Sequence, residues 1–95
     1  MNITLRQLKA FVLSARHASF SRAAEQMFIT QPGLSIMMQE LESQLGARLF
    51  DRTTRKVNLT EFGARFLPIA THCLSELEGA AATVRRASSS AVSRL

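Results

Sequence analysis

Thr30-Gln31-Pro32-Gly33-Leu34-Ser35-Ile36-Met37-Met38-Gln39-Glu40-Leu41-Glu42-Ser43-Gln44-Leu45-Gly46 is the stretch on which the fold turns. Thr30 suits a helix cap, and Pro32 falls in the first turn, where backbone N–H groups lack helical partners anyway. Leu34, Met38, Leu41 and Leu45 step by four, three and four, which gathers them on one helix face. Gly46 then fits a helix stop. With that face buried, Pro32, Ser35, Ile36 and Gln39 point away from it and Gln31 lies at its edge.

Upstream, Leu5, Leu8, Val12 and Ala15, with Phe11 beside them, predict a first helix over roughly residues 4–17. Ser19 or Ser21 can cap a short second helix ending near Met27, and Ala23-Ala24 let another helix approach closely. A short break follows at Phe28-Ile29. Downstream, Leu49-Phe50 and Val57-Asn58-Leu59 predict a small hairpin around the basic stretch from Asp51 to Lys56. Thr60 can open the last helix, with Glu61 at its positive end. Phe62, Phe66, Ile69, Cys73, Leu77, Ala80 and Val84 form its apolar seam, with Pro68 expected to bend it or weaken one turn. Residues 87–93, rich in serine, read as a flexible linker.

The fold class expected is mainly α: a winged helix-turn-helix of three helices and a two-stranded wing, followed by a long dimerisation helix. Its parts are a winged helix-turn-helix domain over 3–60 (helix-turn-helix about 20–39), a linker helix over 61–87, and the start of a hinge over 88–95. About 25 helical residues extend ~37 Å, more than a small head can cover, so the seam points to a homodimer.

The 95 residues carry 12 Lys and Arg against 7 Asp and Glu, a net charge of +5, which favours polyanionic partners. One cysteine excludes an internal disulfide, and His17 and His72 lack ligand partners at metal spacing, so no metal and no cofactor are expected. Cys73 reads as a small packing residue, with a redox switch as the alternative. No run approaches a bilayer span and no signal-peptide layout opens the chain, so a cytoplasmic protein without membrane contact is expected. HExxH, GxSxG and glycine-rich phosphate loops are absent from the sequence, which argues against an enzyme.

The outward flank of the third helix carries chemistry suited to base edges. Gln pairs bidentately with adenine, Ser serves several bases, and Ile36 can touch a thymine methyl. Ile36 serves equally as a filler at the edge of the core, and Gln39 as an ordinary solvated residue. Arg48, Arg52, Arg55 and Lys56 stand against Asp51 within nine residues, the composition of a wing that grips phosphates or enters a minor groove. A helical protein-binding adaptor would explain the seam but leave this basic hairpin without a task. A complete small winged-helix repressor is a further alternative.

In order and spacing, Leu5-Arg6-Gln7-Leu8-Lys9-Ala10-Phe11, Ser19-Phe20-Ser21-Arg22-Ala23-Ala24, Thr30-Gln31-Pro32-Gly33-Leu34-Ser35, Leu49-Phe50-Asp51-Arg52 and Leu59-Thr60-Glu61-Phe62-Gly63 resemble the amino-terminal domain of LysR-type transcriptional regulators. The resemblance implies a bacterial regulator, more usually an activator, that binds inverted-repeat promoter DNA as a dimer with antiparallel long helices. By position it implies Gln31, Pro32, Ser35 and residue 36 in the major groove. It implies Arg55, with Thr54, in the minor groove, and Arg52 supporting the wing or meeting a phosphate. Thr30 and Gln39 complete the candidate DNA-binding set. A carboxy-terminal effector-binding domain holding a small-molecule inducer is implied beyond this chain, and a homotetramer and contact with RNA polymerase remain open for the full-length protein. One departure stands out. Family members commonly carry Arg where this chain has Ile36 and Gln where it has Met37. From Gln31 to Ala47 there is no Lys or Arg, so an arginine–guanine contact is unavailable on this helix and an A/T-rich half-site is expected.

Overall fold

The computed structural model describes residues 1–52 and 56–93, with side chains through residue 89. Its elements are α1 (Leu5–His17), α2 (Phe20–Met27), α3 (Gln31–Leu45), β1 (Phe50–Asp51), β2 (Asn58–Leu59) and α4 (Glu61–Ser93). Each of the first three helices starts on a side-chain cap. Thr4 and Gln7 form a reciprocal capping box, Ser19 accepts the Arg22 N–H, and Thr30 accepts the Gly33 N–H. The stops are left-handed residues: Ala18, Phe28 and Gly46. Phe28 thereby makes the sharp turn between α2 and α3, and the Ile29 N–H returns to the Ala24 carbonyl at 3.0 Å.

Phenylalanines tie the elements together. Phe20 meets Phe50 edge-on at 5.1 Å, Phe50 meets Phe11 at 5.4 Å, and Phe11 meets Phe66 at 5.4 Å. That chain of rings runs from α2 through β1 and α1 to α4. Around it pack Leu34, Met38 and Leu41 of α3, with Leu49, Ala23, Ala24 and Ala70. The wing is a single antiparallel pair, Phe50 opposite Leu59 and Asp51 opposite Asn58.

Several expectations need correction. The stripe predicted for α1 is only part of what it buries: Phe11 and Val12 are buried and Leu8 and Ala15 pack on the core, but Leu5 is 48% exposed, and Gln7, Ala10 and Ser14, outside that stripe, are buried. The reason is position, since α1 packs against α2, α3 and α4 at once and buries more than one stripe. Phe66, expected in the dimer seam, is half-buried against Phe11 in its own domain. The helix does not end near residue 87 but continues to Ser93. Ala and Arg propagate a helix already begun, and Ser opposes it only weakly. Pro68 lies within this continuous helix.

Candidate nucleic-acid interface

The cap at Thr30 and the buried face of Leu34, Met38 and Leu41 fix how α3 is turned. Gln31, Pro32, Ile36 and Gln39 are consequently exposed, and Ser35 is half-buried between them. Ile36 is 56% exposed, so it is no core filler. Thr30 is exposed as well, its oxygen taken by the Gly33 N–H at 3.1 Å. The Ser21 hydroxyl donates to Gln31 Oε1 at 2.7 Å. This bond joins the first turn of α2 to the first turn of α3 and fixes the Gln31 carboxamide, leaving its N–H₂ group pointed to donate elsewhere. Ser21 escaped the sequence reading, where it was only one of two possible caps.

Arg52 is placed differently from an open phosphate ligand. Its Nη2 donates to Glu42 Oε1 at 2.7 Å, and its Nε is buried without a partner. Glu42 is itself buried, and its Oε2 accepts the backbone N–H groups of Leu49 at 2.7 Å and Phe50 at 3.3 Å. One carboxylate thus fastens the end of α3 to the start of the wing, with Arg52 closing the arrangement. A charge on the buried stripe, four residues after Met38, was the signal available for Glu42. Arg48 and Lys56 are exposed at the base of the wing. Thr54 and Arg55 lie outside the described residues. A cleft of about 360 Å³ runs between Ser19, Ser21 and Gln31 on one side and Asp51, Arg52 and Lys56 on the other.

A family model described as "Bacterial regulatory helix-turn-helix protein, lysR family" matches residues 5–64. The chain belongs to this family. Over 78 residues it is 49% identical to the HTH-type transcriptional regulator CfxR of Cupriavidus necator, covering 82% of this chain and 25% of that protein. The fold is similar to that of BenM_DBD in its catB site 1 DNA complex, with TM-score 0.85 and 36% identity over 88% of this chain and 94% of that one. It is similar also to DarR of Vibrio fischeri, solved with DNA, with TM-score 0.87 and 32% identity over 93% of this chain and 30% of that one. The chain spans about a quarter of the length of the curated relatives it matches. It is a LysR-type winged helix-turn-helix DNA-binding domain.

In this LysR-type domain the long helix has two faces. Gly63, Phe66, Leu67, Ala70 and Leu74 turn toward the head, a face from which the sequence reading took only Phe66, and assigned it to the seam. Phe62, Ile69, Cys73, Leu77, Ala80 and Val84 are exposed, Phe62 at 56% and Val84 at 67%. Among the described residues no group of three or more His, Cys, Asp or Glu side chains is arranged to hold a metal ion. His72 faces Glu76 on the same helix at 3.8 Å.

Proposed function

We propose that two copies of this domain bind an inverted repeat in promoter DNA, joined through antiparallel α4 helices. The observation carrying this reading is the exposed flank of Gln31, Pro32, Ser35, Ile36 and Gln39 set beside a basic wing across an open cleft. Each α3 lies in a major groove, and each wing reaches a flanking minor groove with Arg55 and Thr54. The exposed stripe on α4 would otherwise leave Phe62, Ile69, Leu77 and Val84 in water, which dimerisation relieves. The site of action in this reading is the cytoplasm, where promoter DNA lies. The intact regulator is an activator whose inducer binds a carboxy-terminal domain, with RNA polymerase and a tetrameric assembly belonging to that longer chain. No cofactor is needed for DNA binding.

Selection from a randomised DNA library tests this reading. The expected site is two A/T-rich half-sites in inverted repeat, because Ile36 offers a methyl contact and α3 carries no cation to read guanine. Affinity should fall steeply and log-linearly with salt as phosphate contacts release counterions. A strong guanine requirement under α3 contradicts the base readout, and salt-insensitive retention contradicts DNA binding itself.

Two substitutions separate reading from gripping. Gln31→Ala is expected to cost about 1–3 kcal/mol at one base position, whereas Arg55→Ala weakens all sequences alike and lowers the salt slope by about one. Competition binding against single-base site variants measures both. An equal loss across every position for Gln31→Ala removes it from the base-reading set.

A further inference from the structure

Two glutamines stand on the outward flank of α3, and they are held differently. Gln39 is exposed, and its side chain makes no hydrogen bond among the described residues. Gln31 is exposed too, but its Oε1 accepts the Ser21 hydroxyl at 2.7 Å. A carboxamide has an accepting end and a donating end, and half a turn about its last side-chain bond exchanges them. Left to turn, it pairs bidentately with adenine, or offers either end to whichever group a base presents. With its oxygen held, it leads with the N–H₂ group.

The surroundings favour the oxygen on the α2 side. Ser21 is in the first turn of α2, the positive end of that helix, which attracts an amide oxygen and repels an N–H₂ group. The frame between donor and acceptor is stiff. Ala23, Ala24 and Leu34 are buried, and the Ile29 N–H closes the turn on the Ala24 carbonyl at 3.0 Å. Gln31 is the first residue of α3, so the Thr30 cap sets its backbone. In the unbound protein water competes for this exposed bond, which therefore adds little to stability. Against DNA in the proposed complex water is largely displaced, and the same bond strengthens.

We infer that Ser21 is a positioning residue for base specificity: by holding Oε1 toward α2 it makes Gln31 a donor, so Gln31 reads an acceptor, thymine O4, instead of pairing with both groups of adenine. The inference rests on the proposed placement of α3 in a major groove and adds what Gln31 selects there. Cytosine presents N4–H₂ where thymine presents O4, so a cytosine would set one N–H₂ group against another. The preference at that base pair then depends on a side chain of α2 that itself touches no base. Gln39, without such a partner, keeps both ends available.

Competition binding tests it, with thymine or 5-methylcytosine placed at the base position that Gln31→Ala identifies. 5-Methylcytosine keeps the methyl group of thymine and puts N4–H₂ in place of O4. The unsubstituted protein is expected to prefer thymine there by about tenfold. Ser21 is exposed, so its variants keep the fold. Ser21→Ala brings the ratio to within about twofold of unity and leaves every other position unchanged, whereas Ser21→Thr keeps a hydroxyl and keeps the ratio. Ser21→Asp offers only acceptors, draws the N–H₂ group toward α2, and inverts the ratio in favour of 5-methylcytosine. Its added charge lowers affinity for DNA generally, but a ratio taken within one protein is independent of that loss. In a Gln31→Ala background Ser21→Ala changes no base preference. A ratio that Ser21→Ala leaves unmoved, with Gln31→Ala still acting at one position, overturns the role of Ser21 and leaves the placement of α3 standing. An equal loss on all sequences makes Ser21 a backbone contact and overturns its role likewise, as does a ratio of one or below in the unsubstituted protein. If Gln31→Ala acts at no single position, the placement of α3 fails first and this inference with it.

Discussion

Gly63→Ala is expected to lower the melting temperature of this domain by roughly 10–20 °C, although alanine is the better helix former. A Cβ at Gly63 would stand 2.1 Å from the Leu49 carbonyl oxygen and 2.9 Å from Leu59 Cδ2. The leucine side chain can turn aside, but the oxygen belongs to a backbone already engaged. Leu49 O accepts the Thr60 N–H at 3.0 Å, and the Thr60 hydroxyl both donates to the Arg48 carbonyl and accepts the Gly63 N–H. The first turn of α4 is thus laid directly on the strand entering the wing, and the contact leaves no room for a methyl. Overpacking costs about 1–3 kcal/mol where side chains can yield, and a fixed carbonyl places this case at the upper end or beyond. The internal control is Gly79→Ala. Nothing lies within 4 Å of a Cβ there, so the helix should gain about 0.5–1 kcal/mol and the melting temperature should rise. Both melts are compared at one protein concentration, because the proposed dimerisation would couple stability to concentration. If the two alanines behave alike, the close approach of α4 to the wing strand is wrong.

That close approach also shows where sequence patterns stop being informative. The α3 helix was legible because its signals agree: Thr30 starts it, Leu34, Met38, Leu41 and Leu45 share a face, and Gly46 ends it. The outward set followed by subtraction. The wing strands were legible from two short apolar pieces flanking a basic stretch, and they form within a residue of where they were expected. Periodicity gave only part of the α1 surface that is buried, since it assumes one buried side and α1 is packed on several. It served α4 poorly for a related reason. Phe66 and Phe62 sit one turn apart and read as one seam, yet Phe66 turns to Phe11 and Phe62 to the open face. Only the position of the head separates them. Bonds across the chain, such as Ser21 to Gln31, leave no periodic trace at all.

Glu42→Gln is expected to cost about 3 kcal/mol of stability and to weaken DNA binding even at temperatures where the variant stays folded. The carboxylate has four lone-pair sites, and among the described residues three are in use, by Leu49 N–H, Phe50 N–H and Arg52 Nη2. Glutamine keeps one acceptor oxygen and replaces the other with a donor. Whichever way the amide turns, either two backbone N–H groups or the guanidinium face an N–H₂ group. Removing one partner of a buried pair typically costs about 3–5 kcal/mol, and Arg52, whose side chain keeps 24% exposure, can recover some hydration, which places the loss near the lower bound. The functional effect has a separate cause. Glu42 is on α3 and everything it holds is at the entrance to the wing, so its carboxylate sets the angle between the two elements proposed above to face DNA. Arg52→Met distinguishes this from a direct phosphate contact. A positioning role predicts reduced affinity at an unchanged salt slope, with Glu42→Gln and Arg52→Met together costing less than their sum in a double-mutant cycle. A slope reduced by about one, with full additivity, would return Arg52 to the set of phosphate ligands and leave Glu42 as a stability element alone.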